Sequence, residues 1–151
     1  MYFLSLLGVI ITTALISFFT NGRWDRMFDV MSLLILLLLV IPILISSGLS
    51  KDFSNAFRYS IGKKKPEKLL ELKRAKEAVS LVIWTTVSAS VFVTMAQLIQ
   101  ILYWISELSS LGPNLSVMII SIMYGMGFVL LLLPMQAILN VKIQEFISGQ
   151  E

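Results

Sequence analysis

Four stretches of this chain run for about twenty residues or more with almost no charge, and few folds can accommodate that. They cover residues 1–20, 27–49, 79–105 and 113–141. A helix needs about 20 apolar residues to cross a hydrocarbon core of about 30 Å. Composition points the same way. Hydrophobic residues make up 57% of the chain and charged residues 14%, where a soluble domain has about 45–50% and about 25%. The pattern predicts an all-α membrane protein with four transmembrane helices. The first stretch lacks the basic n-region and small-residue cleavage site of a signal peptide. With no Cys and no His, disulfide scaffolds, Cys nucleophiles, Ser-His triads and zinc sites built on those ligands are excluded. No cofactor, metal, nucleic-acid partner or enzymatic activity is expected.

Charge sets the orientation. Of 12 Lys and Arg residues, nine fall between Lys51 and Lys76. Arg23 and Arg26 sit in the first short loop beside Asp25 and Asp29, and the third loop carries only Glu107. The positive-inside rule places the 51–78 segment in the cytoplasm. Four spans then put both termini there too. Trp24, Tyr103 and Trp104 would form an outer aromatic belt. Within the basic segment, Phe53, Phe57 and Ile61 are spaced as one apolar stripe of a short helix, with Lys51 and Arg58 available to anionic headgroups. Gly62 punctuates the chain, and Pro66 suits the first turn of a new helix. No breaker follows for about 40 residues, so one helix of about 60 Å should rise from the cytoplasm and continue as the third span. The expected organisation is a peripheral hairpin (1–50), a basic helical segment (51–78), an inner hairpin (79–141) and a cytoplasmic tail (142–151).

The spans differ in polarity. Thr12, Thr13 and Ser17 of the first can bond to their own backbone. The second is apolar on every side from Leu33 to Ile45, with Pro42 a candidate kink. The third carries Thr86, Ser90, Thr94, Gln97 and Gln100 at spacings of 4, 4, 3 and 3. At about 100° per residue these share an arc of about 120°. Such a stripe avoids lipid. It meets neighbouring helices as hydrogen-bond glue, or lines a polar pathway. Ser121 and Gly125 share a face of the fourth span, where small residues permit close helix approach. No Asp, Glu, Lys, Arg or His lies deep in any span, which argues against a proton-coupled carrier acting alone.

The stretch LGPNLSVMIISIMYGMGFVLLLLPMQAIL (111–139) resembles the fourth span of the MotA/TolQ/ExbB proton-channel family, the MotA branch most closely. Gly112, Pro113, Tyr124, Gly125 and Pro134 match that pattern, and TMAQLIQIL (94–102) is similar to the family's third span, with Thr94 at the pore threonine. The resemblance implies a homopentameric ring in the bacterial inner membrane. The third and fourth spans would surround a MotB/ExbD/TolR-like single-span partner whose aspartate carries the coupling ion, H+ or Na+. Thr86, Ser90, Thr94, Gln97, Gln100 and Ser121 would then face the central space. The implied function is a subunit of an ion-driven stator or energy transducer. The segment between spans two and three is far shorter than MotA's torque-bearing region. Val93 and Gln97 replace the glycines flanking the third-span threonine, Val87 replaces a proline, and Ile122 replaces the fourth-span threonine. Those departures support the alternative of a non-conducting scaffold of the same fold. An unrelated four-span transporter is the remaining alternative.

Overall fold

A computed structural model describes residues 2–19, 29–63, 66, 68–104 and 111–149. Trp24, Arg23, Arg26, Asp25 and Glu107 lie outside the described residues, as do the side chains of Ser17 and Trp104. Among those described, all regular structure is α-helical: α1 (Tyr2–Phe19), α2 (Val30–Ser46), α3 (Ser50–Ser60), α4 (Leu69–Trp104) and α5 (Leu111–Ser148).

Local chemistry accounts for the helix ends. Asp29 caps α2, its carboxylate accepting the N–H groups of Met31 at 3.2 Å and Ser32 at 3.3 Å. In α1, Thr12 and Thr13 donate to the carbonyls of Gly8 and Val9, both at 2.8 Å, as expected of hydroxyls in an apolar helix. α2 runs through Pro42 as one helix. The sharp change of direction comes later, at residues 47–49, where α2 and α3 diverge by 102°. Gly48 makes the bend with φ of 70°, a conformation that penalises any Cβ. Gly62 ends α3 similarly, with φ of 78°. Lys63 N–H reaches Arg58 O and Gly62 N–H reaches Tyr59 O, a Schellman closure.

That closure corrects the apolar stripe. Phe53 and Phe57 do share a face, with rings edge to face at 5.2 Å. Ile61, however, falls past the helix end and is 54% exposed. Ala56 and Tyr59 take its place in the buried set. This face packs on α4 and α5 rather than standing free for a membrane surface. Tyr59 donates its hydroxyl to Glu71 at 2.9 Å, and Lys142 of α5 donates to the Tyr59 carbonyl. Arg74 pairs with Asp52 at 3.0 Å on the exposed side, a contact worth little by itself.

Two further boundaries move. α4 begins at Leu69, three residues after Pro66. Pro113 lies inside the first turn of α5, where its missing N–H costs nothing. The 142–151 tail is mostly helix: α5 continues to Ser148 because Ile143 and Phe146 pack against the α3–α4 core.

α4 and α5 form the most extensive helix pair, and the contacts of their side chains make it antiparallel. Leu72, Ala75 and Val79 of α4 and Met135 and Leu139 of α5 are fully buried, with α3 closing the base. Among the described residues, two helices are long and apolar enough to cross a membrane, or three if the bent α2–α3 pair counts as one span. α4 has 36 residues, about 54 Å, which exceeds a hydrocarbon core of about 30 Å. Its charges all lie between Glu71 and Glu77, and none follows before Trp104. One helix carrying both a charged extension and an apolar span is therefore what the structure contains.

Candidate functional site: a polar junction of three helices

The hydroxyl stripe of α4 turns inward. Thr86 and Ser90 are each 3% exposed and Thr94 is 2% exposed, all within the chain's own bundle. Two of these hydroxyls are spent locally. Ser90 Oγ donates to Val87 O at 2.9 Å, and Thr94 Oγ1 donates to Ser90 O at 2.8 Å. Returning a hydroxyl proton to the helix's own carbonyl lets a polar side chain enter a close interface without orphaning a donor.

Closeness is what this interface requires. A Cβ built on Gly125 of α5 would stand 2.5 Å from Ser90 Oγ and nearer still to Ser90 Cβ. Only glycine lets the two backbones meet here, the small-residue packing typical of membrane helices. Gly127 differs: a Cβ there meets nothing within 4 Å. Gly125 is thus the packing glycine of the MYGMG run.

Above this contact, α2 joins. Ser121 is fully buried and lies 3.1 Å from Ser32 Oγ and 3.3 Å from Gln97 Oε1. A hydroxyl has one proton, so Ser121 can donate to only one of these at a time. Ser32 Oγ donates in turn to Asp29 Oδ2 at 2.5 Å. The backbone N–H of Asp29 donates to Tyr124 Oη at 2.9 Å. Asp29, Ser32, Ser121, Tyr124 and Gln97 therefore tie the start of α2 to the middle of α5 and the upper part of α4.

Among the sequence-derived candidates, Thr86, Ser90, Thr94 and Ser121 come together inside one protomer, with Gln97 half-buried at their upper end. Gln100 is exposed and stands apart. The expectation of a space shared between protomers concerns an assembly; within the single chain the four hydroxyl residues are buried. Ser90 packs on Gly125 of α5 and Ser121 meets Ser32 of α2, while Thr86 borders an apolar cavity among the helices. Ser32 and Asp29 were not candidates. The available signal covered Asp29 alone, an N-cap residue type just before an apolar run; no local pattern marked Ser32. The motif residues divide by role. Tyr124 and Gly125 make interhelical contacts, Pro134 is accommodated within α5, and Gly112 and Pro113 lie exposed in its first turn.

Chemically the junction is a structural lock. Asp29 is its only carboxylate, and three donors already occupy it. Among the described residues no cluster of three or more acidic, His or Cys side chains could hold a metal. The outward face of α4 is apolar, with Trp84, Val91, Phe92, Met95 and Ile99 all exposed.

The fold and junction define an all-helical chain with helices suited to a bilayer, held together by internal hydroxyl and glycine contacts. Comparison with family models, curated proteins and solved structures gives no match.

Proposed function

We propose that this chain is a four-span, ring-forming subunit of an ion-motive-force-driven complex of the MotA/TolQ/ExbB type, in a bacterial inner membrane with both termini cytoplasmic. In this reading α1 and α2 form the peripheral hairpin and α4 and α5 the inner one. Several copies, five by resemblance, enclose a single-span partner. One observation carries it. Tyr124 and Gly125, two of the five residues that carry the fourth-span resemblance, help to join α5 to α2 and α4. The residues of the motif therefore have a physical job in building the hairpin.

Two further features support the reading. From Ala78 to Trp104 and from Leu111 to Val141 there is no titratable carboxylate, amine or imidazole. Any ion carried at the midplane therefore binds to an acid borrowed from another chain. The long apolar outer face of α4 also needs a cover, which lipid and neighbouring copies supply together. The driving force would be the membrane potential, about 2.3 kcal/mol per charge per 100 mV. The partner acid would take up and release H+ or Na+ while the ring turns about it.

A second reading, a non-conducting scaffold of the same fold, is favoured by one specific observation. The hydroxyls that would have lined an axial path are sealed inside each protomer. The deciding experiment is imaging of the detergent-purified particle, with a subunit count and inspection of its centre. A ring filled by one or two helices of another chain supports the proposal; a monomer or an empty ring overturns it. Ion flux in liposomes containing that partner then separates transducer from scaffold.

A further inference from the structure

In the lower half of the bundle lies a half-enclosed cavity of about 360 Å³. All five helices contribute to it, through Leu6 of α1, Val40 and Leu44 of α2, Phe53 of α3, Thr86 of α4 and Leu132 of α5. Among the described residues, Thr86 is the one polar side chain in its lining. A cavity of about 150 Å³ lined by Leu, Ile and Phe stays dry and takes up benzene. This one is more than twice that size, and just as unsuited to water. Left empty it would forfeit packing along its whole wall. Its mouth is bordered by Ile41, which lines the cavity and is 47% exposed on the apolar outer surface of α2.

The cavity ends at the α2–α3 elbow. Ser50 Oγ donates to the carbonyl of Leu44, a lining residue, at 3.3 Å. Around this point Ser46, Ser47, Ser50 and Lys51 are all exposed. The first-turn N–H groups of α3 have no side-chain cap from Leu49. Asp52, the acid in that turn, is neutralised by Arg74. The hydroxyls of Ser46, Ser47 and Ser50 are already donated to the carbonyls of Ile43 and Leu44, so the apolar slot leads to the exposed Lys51 at the start of α3, in a segment dense with cations. We propose that the slot holds an acyl chain of an anionic phospholipid, with its phosphate at the elbow beside Lys51. The charge at the elbow selects this occupant over a second copy or a partner helix, neither of which brings a phosphate. The proposal rests on the membrane reading above, and on no property of a ring or an ion path. The lipid would wedge the peripheral hairpin to α4–α5, filling a gap that protein side chains leave.

The test uses the full chain extracted from membranes and exchanged into micelles containing equal phosphatidylglycerol and phosphatidylcholine of identical acyl chains. Native mass spectrometry should show one phosphatidylglycerol retained per chain after delipidating washes. Val40→Trp, which fills the slot, should reduce retention about tenfold. Lys51→Gln should lower the preference for phosphatidylglycerol about fivefold, the equivalent of one lysine at a charged surface, while leaving acyl retention in place. Circular dichroism distinguishes a filled variant from an unfolded one, and Thr86→Phe intrudes on the same space from α4 as a second variant. No retained lipid, retention indifferent to both filling variants, or a peptide segment in the slot would overturn the proposal. A chain recovered in the soluble fraction without detergent would instead overturn the membrane reading itself.

Discussion

At the scale of single residues, Gly125 and Ser90 set the distance between the two long helices. Gly125→Ala places a methyl group inside Ser90, an overpacking change with no flexible neighbour to absorb it. Stability in detergent should fall by roughly 1–3 kcal/mol, visible as a lowered thermal midpoint. Ser90→Gly should restore much of that loss in the double variant, because the clashing atoms belong to Ser90. Gly127→Ala is the matched control: with nothing within 4 Å of the new Cβ, it should be neutral or stabilising by about 0.5–1 kcal/mol. An equal effect of the two alanines would show that helix propensity, not contact, matters here. Tyr124→Phe tests the other end of the junction. It leaves the Asp29 N–H without its 2.9 Å acceptor and should cost about 1–3 kcal/mol. Much of this was legible in residue types. The 4, 4, 3, 3 spacing showed that Thr86, Ser90, Thr94, Gln97 and Gln100 share a face. Helical period cannot say whether that face meets the same chain or another, because the answer depends on where α5 and α2 dock. Ser32 was invisible for the same reason, since its contact with Ser121 spans 89 residues of sequence.

At the scale of elements, the long α4 was readable because nothing between Leu69 and Trp104 breaks a helix. The α2–α3 elbow was harder. The sequence offers Pro42 as the obvious disruptor, since a proline forfeits one hydrogen bond and crowds the carbonyl four residues back, yet α2 continues through it. The turn belongs to Gly48, whose positive φ permits a reversal that other residues resist. Gly48→Ala should therefore destabilise the chain by about 1–2 kcal/mol, although open space surrounds the site. Pro42→Ala should be neutral or mildly stabilising. Thermal midpoints in detergent compare the two. A larger loss at Pro42 would mean that the elbow is specified inside α2 and not at its end. The extension of α5 to Ser148 was missed because tail residues 142–148 are polar enough to read as solvated. Burial of Ile143 and Phe146 against the core, with Lys142 bonded to Tyr59 O, holds them helical.

At the scale of the whole molecule, the distribution of polar groups restricts what any ion pathway could use. With Thr94 2% exposed and its hydroxyl committed to Ser90 O, an ion moving outside the protomer would never meet it. In liposomes containing the complex and its single-span partner, Thr94→Val should leave ion flux within about twofold of the parent, far less than the about tenfold that a 1.4 kcal/mol loss would produce. Removing the partner's acid should abolish flux. If Thr94→Val also abolished flux while stability was unchanged, α4 would have to rotate in the assembled ring so that its hydroxyl stripe faces the axis. That rotation would break the Gly125–Ser90 contact, and cross-linking could detect it. The chain has no cysteine, so an introduced pair at positions 97 and 121, whose side chains meet one turn away at 3.3 Å, reports on the α4–α5 register without adding a Cβ at Gly125. Rapid disulfide formation in the assembled complex, together with flux unaffected by Thr94→Val, would mean that the hairpin enters the ring as a rigid unit. The polar path, if there is one, would then be built from the outer face of α4 and the partner. Conduction would depend on groups that this polypeptide does not supply, and its own hydroxyls would serve only to bring two helices close enough to form the wall.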